Sequence, residues 1–380
     1  MFYRSRNSNF ESIYMKKFFV FVSALCMSLS IYAGDLSNST SSEIPVVGRK
    51  INVSVMNKQR LPLLIANNQL ITRSSLSGEI YASSLTSDKW SGGILVIPAK
   101  SNSPAVEPKF VAKGVDKSLL ILDAVDVRSR LQSLTVIKNA NSVSDIKSAS
   151  NWKQYDLSKI TPVRFENWHN FVSLSDSTIL LATTPWNDVH HLFSIIDYKN
   201  ASIQPLDYLP EDGLKCNDTT RVSVYSMESG VYNNHHGRFL YRAGYARLAF
   251  IFTIEDNKIK VIKELYSDYP DYIDNKSTGC FLFRKTGRVF PLESAVNDNR
   301  IYVLNKDFDK KGNRIVGVEG VSYGNIIEEF DWDGNMIRRL RLDEFGQDIM
   351  LSEDGKTLYL FSNDYSSAGK LSQKVTAYDI

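Results

Sequence analysis

The sequence predicts an all-β protein: a six-bladed β-propeller of four-stranded antiparallel blades, with the last blade closed by a strand from the N-terminal end. Three observations predict it. A strand–turn–strand stretch, Glu328 to Asp343, recurs in looser form along the chain. Six short runs of β-branched and aromatic residues return at intervals of 50 to 62 residues, and a fixed period of that size marks a solenoid or propeller. No long window carries the 3.6-residue apolar stripe of an amphipathic helix.

The stretch Glu328–Asp343 defines the unit. Asp333-Gly334-Asn335 supplies residues that tolerate positive φ, as a tight hairpin loop requires. After the turn, Leu340 and Leu342 alternate with Arg339 and Arg341, the period of a half-buried strand. The six runs are Gln69–Thr72, Leu119–Leu122, Ile179–Ala182, Phe239–Tyr241, Ile301–Leu304 and Leu358–Phe361. In the third to fifth units, further strand-like segments flank each run and give four strands per unit. Four-stranded sheets repeated around an axis leave only short, protected edges. The sixth unit supplies three strands, at 348–351, 357–361 and 374–378, before the chain ends. The alternating segment Lys50–Val55 is the expected fourth strand.

With 380 residues, 43% of them hydrophobic, the chain is too apolar for disorder and long enough for a large core. Residues 1–34 read as an N-terminal extension and an export signal. Met15-Lys16-Lys17 is a basic start, Phe18–Ile31 an apolar run, and Tyr32-Ala33-Gly34 a small-residue cleavage site. A Ser-rich linker follows over 35–47, and the propeller over 48–380. Cleavage after Ala33 takes the chain from 45 to 41 basic residues and from 42 to 41 acidic ones. The resulting balance offers no electrostatic footprint for nucleic acid. Cys26 is the one position at which lipidation would tie the chain to a membrane, although Leu25 and Ser23 fit a lipobox poorly. The expected location is the periplasm or cell surface.

Glu328–Asp343, followed by Asp348–Phe361 and the terminal Ala377-Tyr378-Asp379, resembles the C-terminal part of the TolB-like six-bladed β-propeller family; Gly237–Glu264 is similar in layout. The resemblance implies an exported bacterial protein, in many members a lipoprotein. The family has no established activity and no defined functional residues to carry over.

Binding usually sits on loops held by a rigid scaffold. The connections from second to third strand, and from one blade to the next, emerge on one face. That face is expected to gather Trp168, His169, Trp186, His190, Tyr241, Arg242 and Tyr245, with Arg128 and Arg130 from the second blade. Aromatic residues beside Arg and His suit a glycan, a peptide or a cell-envelope protein, and packing within the loops is the competing reading. No metal is expected from the five histidines, because adjacent residues on a strand point to opposite faces and no HExxH or CxxC spacing exists. Calcium in the central channel would draw on Asn170, Glu293 and Asp348. The chain lacks a phosphate loop and a dinucleotide fingerprint. A non-enzymatic binding module is therefore expected, the alternative being a calcium-dependent propeller hydrolase or lactonase. Cys216 and Cys280 fall in neighbouring connections on the same face and form a candidate disulfide.

Overall fold

The computed structural model describes residues 43–53, 60–74, 79–84, 89–90, 93–97, 108–125, 130–160, 163, 171–183, 185, 187–188, 190–275, 280–283, 292–306, 322–365 and 371–380. These belong to one compact unit, Ser42–Ile380. The export and lipidation expectations at residues 15–34, Cys26 included, lie outside them.

Two strands precede the first blade: β1 (Ile44–Val46) and β2 (Arg49–Val53). Blade one is β3 (Arg60–Ala66), β4 (Gln69–Ser74), β5 (Ile80–Ser84) and β7 (Ile94–Ile97), with the two-residue strand β6 (Lys89–Trp90) in its last connection. Blade two is β8 (Pro108–Lys113), β9 (Leu119–Val125), β10 (Arg130–Ile137) and β11 (Trp152–Asp156); helix α1 (Val143–Lys147) precedes β11. Blade three is β12 (Val172–Ser173), β13 (Thr178–Leu181), β14 (Phe193–Asp197) and β15 (Ser202–Leu206). Helix α2 (Asp218–Ser226) leads to blade four: β16 (Gly230–Asn233), β17 (Phe239–Arg242), β18 (Arg247–Glu255) and β19 (Lys258–Asp268). A separate hairpin, β20 (Tyr272–Asn275) and β21 (Cys280–Phe283), follows. Blade five is β22 (Leu292–Val296), β23 (Ile301–Asn305), β24 (Gly324–Phe330) and β25 (Met336–Gly346). Blade six holds β26 (Asp348–Leu351), β27 (Thr357–Tyr365) and β28 (Leu371–Asp379).

The ring is closed. The first strand of every blade touches the first strand of the next, and β26 returns to β3. Six apolar clusters occupy the six blade-to-blade interfaces, one at each. A single blade is apolar on both faces, so only its neighbours can hide it.

The expected closing strand does its work. Strand β2 pairs antiparallel with β28 through Arg49↔Ala377, Lys50↔Thr376 and Ile51↔Val375, and becomes the fourth strand of blade six. Ile51 is buried in the cluster between blades six and one. Gly48 sits at the entry, where an added Cβ would meet the Thr376 methyl at 2.3 Å and the Tyr378 ring at 2.6 Å. Its amide donates to Asp343 Oδ1 (3.1 Å), which also accepts from the Tyr378 hydroxyl (2.8 Å). Strand β6 then pairs parallel with β2, bringing the buried Trp90 to 5.5 Å, centroid to centroid, from both Tyr359 and Phe361.

Residues 44–46 fall in the segment read as linker, yet they form β1, a parallel fifth strand on the outer edge of blade five. Glu43 anchors it through Arg341 Nε (2.5 Å) and Arg339 Nε (3.5 Å). Helix α2 also escapes the periodic signal because it is short. Its start is nonetheless legible: Asn217 is the N-cap, accepting from the Thr220 amide at 2.8 Å.

The hairpin of blade five forms as its residues dictate. Asp331 accepts from the amides of Asp333 (3.0 Å) and Asn335 (2.8 Å) and from Asn335 Nδ2 (3.0 Å). Burial alone would raise its carboxyl; the Asn335 and Asp333 donors hold it below the ordinary value. Gly334 turns with φ +81°, and a Cβ there would lie 2.3 Å from Lys263 Cγ in blade four.

Ring closure gives a direct test. Ile51→Ala empties a site between the first and last blades and should cost about 2–4 kcal/mol. Chemical denaturation of wild type and variant measures it.

Candidate functional site

The face where second strands end and first strands begin carries a buried polar cluster around the axis of the ring. Four chain positions build it from the same end of three successive blades. Arg242 is the last residue of β17, Glu293 the second of β22, Asp348 the first of β26, and Lys306 follows β23. Tyr232, on the first strand of blade four, completes the set.

Arg242 is 1% exposed and is fixed on every side. It donates through Nη2 to Glu293 Oε1 (2.8 Å), through Nη1 to the Glu228 carbonyl (3.0 Å) and through Nε to the Tyr232 hydroxyl (3.3 Å). Lys306 Nζ lies 3.4 Å from Glu293 Oε2. Glu293 thus faces two cations, one per oxygen. A buried ion pair repays its desolvation only with such extra hydrogen bonds. Burial pulls the Arg242 guanidinium down, but the Glu293 charge and Tyr232 outweigh it and hold the pKa above the ordinary value. Burial raises the Tyr232 phenol.

Asp348 is the titratable member. Its carboxyl is half-buried and accepts no hydrogen bond from the described residues. Burial pushes it up to about 6; the Glu293 charge adds to this, and Lys306 and Arg242 oppose it. The cluster therefore presents a fixed, neutralised pair, Arg242–Glu293, beside an acceptor that changes charge just below neutral pH.

The structure places the other residues marked by the sequence as follows. Tyr245 is half-buried and donates to Glu228 Oε1 at 2.9 Å, next to the carbonyl that Arg242 holds. Tyr241 is fully buried between blades three and four and donates to the Tyr225 carbonyl at 2.6 Å. His190 is exposed, its Nδ1 3.0 Å from Asp218 Oδ2 at the start of α2. Trp168, His169, Asn170, Trp186 and Arg128 lie outside the described residues, as does the side chain of Arg130. Among described residues, no group of three His, Cys, Asp or Glu side chains is placed to hold a metal ion.

The two cysteine-bearing connections do meet. Asp212, its side chain 1% exposed, accepts from the hydroxyls of Tyr225 (2.9 Å) and Tyr272 (2.6 Å). That ties the segment before α2 to the β20–β21 hairpin. Cys216 Sγ lies 3.9 Å from the Tyr272 carbonyl, and Cys280 opens β21 with its side chain outside the described set.

Sequence reasoning marked Arg242, Glu293, Tyr245 and Asp348 separately, two as loop-face residues and two as channel-facing acids. It did not link them. Tyr232 and Lys306 went unmarked; their signal was position, since one stands on a first strand and the other directly follows a second.

No family model matches the chain, and no curated protein does. Solved structures similar to it include a streptogramin B lyase, 11% identical over 87% of this chain and 97% of that one, with a TM-score of 0.40. An auxiliary nutrient binding protein from Bacteroides thetaiotaomicron is 9% identical over 85% and 69%, with a TM-score of 0.40. The β-propeller domain of Cps50 (Swd1) from Myceliophteria thermophila is 8% identical over 88% and 99%, with a TM-score of 0.42.

Two outcomes are expected. Arg242→Met removes the guanidinium from the buried Glu293 carboxylate and should cost about 3 kcal/mol in denaturant unfolding. For Asp348, the folded pKa lies above the unfolded one, so its contribution is most favourable below pH 4 and is lost as pH rises through about 6. Asp348→Asn should match wild type near pH 4 and exceed its stability by about 2–3 kcal/mol at pH 8. Thermal melts across pH 4–8 measure that difference.

Proposed function

We propose that the chain is an exported, TolB-like propeller that acts as a non-enzymatic binding module, taking its ligand at the axial polar cluster of the loop-bearing face. The observation that carries the reading is the contrast within that cluster. Arg242 and Glu293 are locked by mutual hydrogen bonds, whereas the Asp348 carboxyl beside them accepts none from the described residues. A rigid frame around an unmatched acceptor suits a ligand that brings donors, such as a glycan hydroxyl or a peptide amine. The basic start and apolar run at residues 15–34 support export.

A calcium-dependent hydrolase fits this cluster less well. A divalent ion between Glu293 and Asp348 would meet the positive charges of Arg242 and Lys306. The Glu293 carboxylate is already held by both of these cations.

Binding of the folded chain to arrays of glycans, peptides and envelope components tests the reading. A hit weakened about tenfold by Asp348→Asn, the size expected for one charge-assisted hydrogen bond, supports it. Binding to none of the arrays, or a hit indifferent to that change, overturns it.

A further inference from the structure

The opposite face, where first strands turn into second and third into fourth, holds a cavity of about 350 Å³ between blades two and three. Its floor is apolar: Leu120 and Val136 are buried beneath it, with Val115 at the rim. Its wall is a pair of tyrosines. Tyr155 and Tyr198 pack edge to face with centroids 5.0 Å apart. Tyr198 is 2% exposed, and neither phenol hydroxyl has a hydrogen-bond partner among the described residues.

The charges around the cavity are not balanced. Lys199 Nζ is taken up by Asp176 at 2.7 Å. Lys138 and Lys153 line the same space without a carboxylate within ion-pair distance among the described residues; Lys153 Nζ instead lies 4.9 Å from the Tyr155 ring centroid. Asp116 is the remaining acid. One positive charge is left over.

We propose that this cavity is a second binding site, separate from the axial cluster, for a sugar-sized ligand carrying one carboxylate, of the hexuronic acid class. The volume falls near the low end of small-molecule sites, roughly 300–1,000 Å³, so the ligand is about one ring in size. Lys138 and Lys153 supply the countercharge for a single anionic group. Asp116 and Asp176 disfavour a densely charged inorganic anion, whose oxygens they would repel. The same acids accept from ring hydroxyls, while the Tyr155 and Tyr198 hydroxyls stand ready to donate. The apolar floor takes the C–H face of a pyranose, as aromatic and aliphatic surfaces do for amphipathic ligands.

Calorimetric titration of the full chain with galacturonate, galactose and inorganic phosphate tests this. Saturable galacturonate binding is expected, with galactose about tenfold weaker because it lacks the charge-assisted contact. Lys138→Ala and Lys153→Ala, both at exposed positions, should each weaken galacturonate about tenfold with the melting temperature unchanged. Asp348→Asn should leave that affinity as it is, which separates this site from the axial one. Equal affinity for galactose overturns the proposal. So does binding of phosphate alone, binding of none of the three, or galacturonate binding indifferent to the Lys138→Ala/Lys153→Ala double change.

Discussion

Burial between blades is the constraint on which everything else depends. Each sheet is apolar on both faces, and its only shelter is another sheet. A linear stack of six would leave two faces bare. The circular arrangement leaves none, but it requires the last blade to meet the first. That meeting is held by the hydrogen bonds of β2 to β28 and by the aromatic contact of Trp90 with Tyr359 and Phe361. The geometry of the axial cluster rests on the same closure, because Arg242, Glu293 and Asp348 come from three blades whose spacing the ring sets.

The interfaces are not purely apolar, and their charges follow one rule. Glu328 and Glu329 are adjacent on β24 and both buried, so they point to opposite faces. Glu328 turns toward blade four, accepting from Tyr266 and from Asn305 Nδ2 (3.0 Å). Glu329 turns the other way, between Arg300 Nε (3.1 Å) and Arg338 Nε (2.5 Å). Each acid meets donors from its own side. This is the tolerable way to bury a carboxylate, since an unmatched one costs several kcal/mol. The axial acids follow the rule only in part: Glu293 is matched and Asp348 is not.

The architecture was legible because of one strand in each blade. All six runs that carry the sequence period, from Gln69–Thr72 to Leu358–Phe361, are second strands: β4, β9, β13, β17, β23 and β27. A second strand has a neighbour on each edge and a blade on each face, so nearly every residue in it is apolar. First strands carry little such signal. β12 has two residues and β16 opens on a glycine, and it is first strands that line the axis. The candidate site was therefore half visible. Its residue types stood out, but their convergence depends on register between blades, which has no footprint in local composition. The cavity of blades two and three was invisible for the same reason: its lysines and tyrosines come from three separate segments, the turn after β10, strand β11 and the turn after β14.

The origin of the closing strand has a consequence for how the protein is made. Ile51 and its partner Val375 lie 324 residues apart in the chain, so one is synthesised long before the other. Blades one to five can assemble in order as the chain emerges, each on the one before. The seam cannot form until Val375 has been made, so the growing ring keeps an exposed apolar edge at each end until then. Closing a loop of that length is slow, which makes the seam a late step relative to the blades it joins.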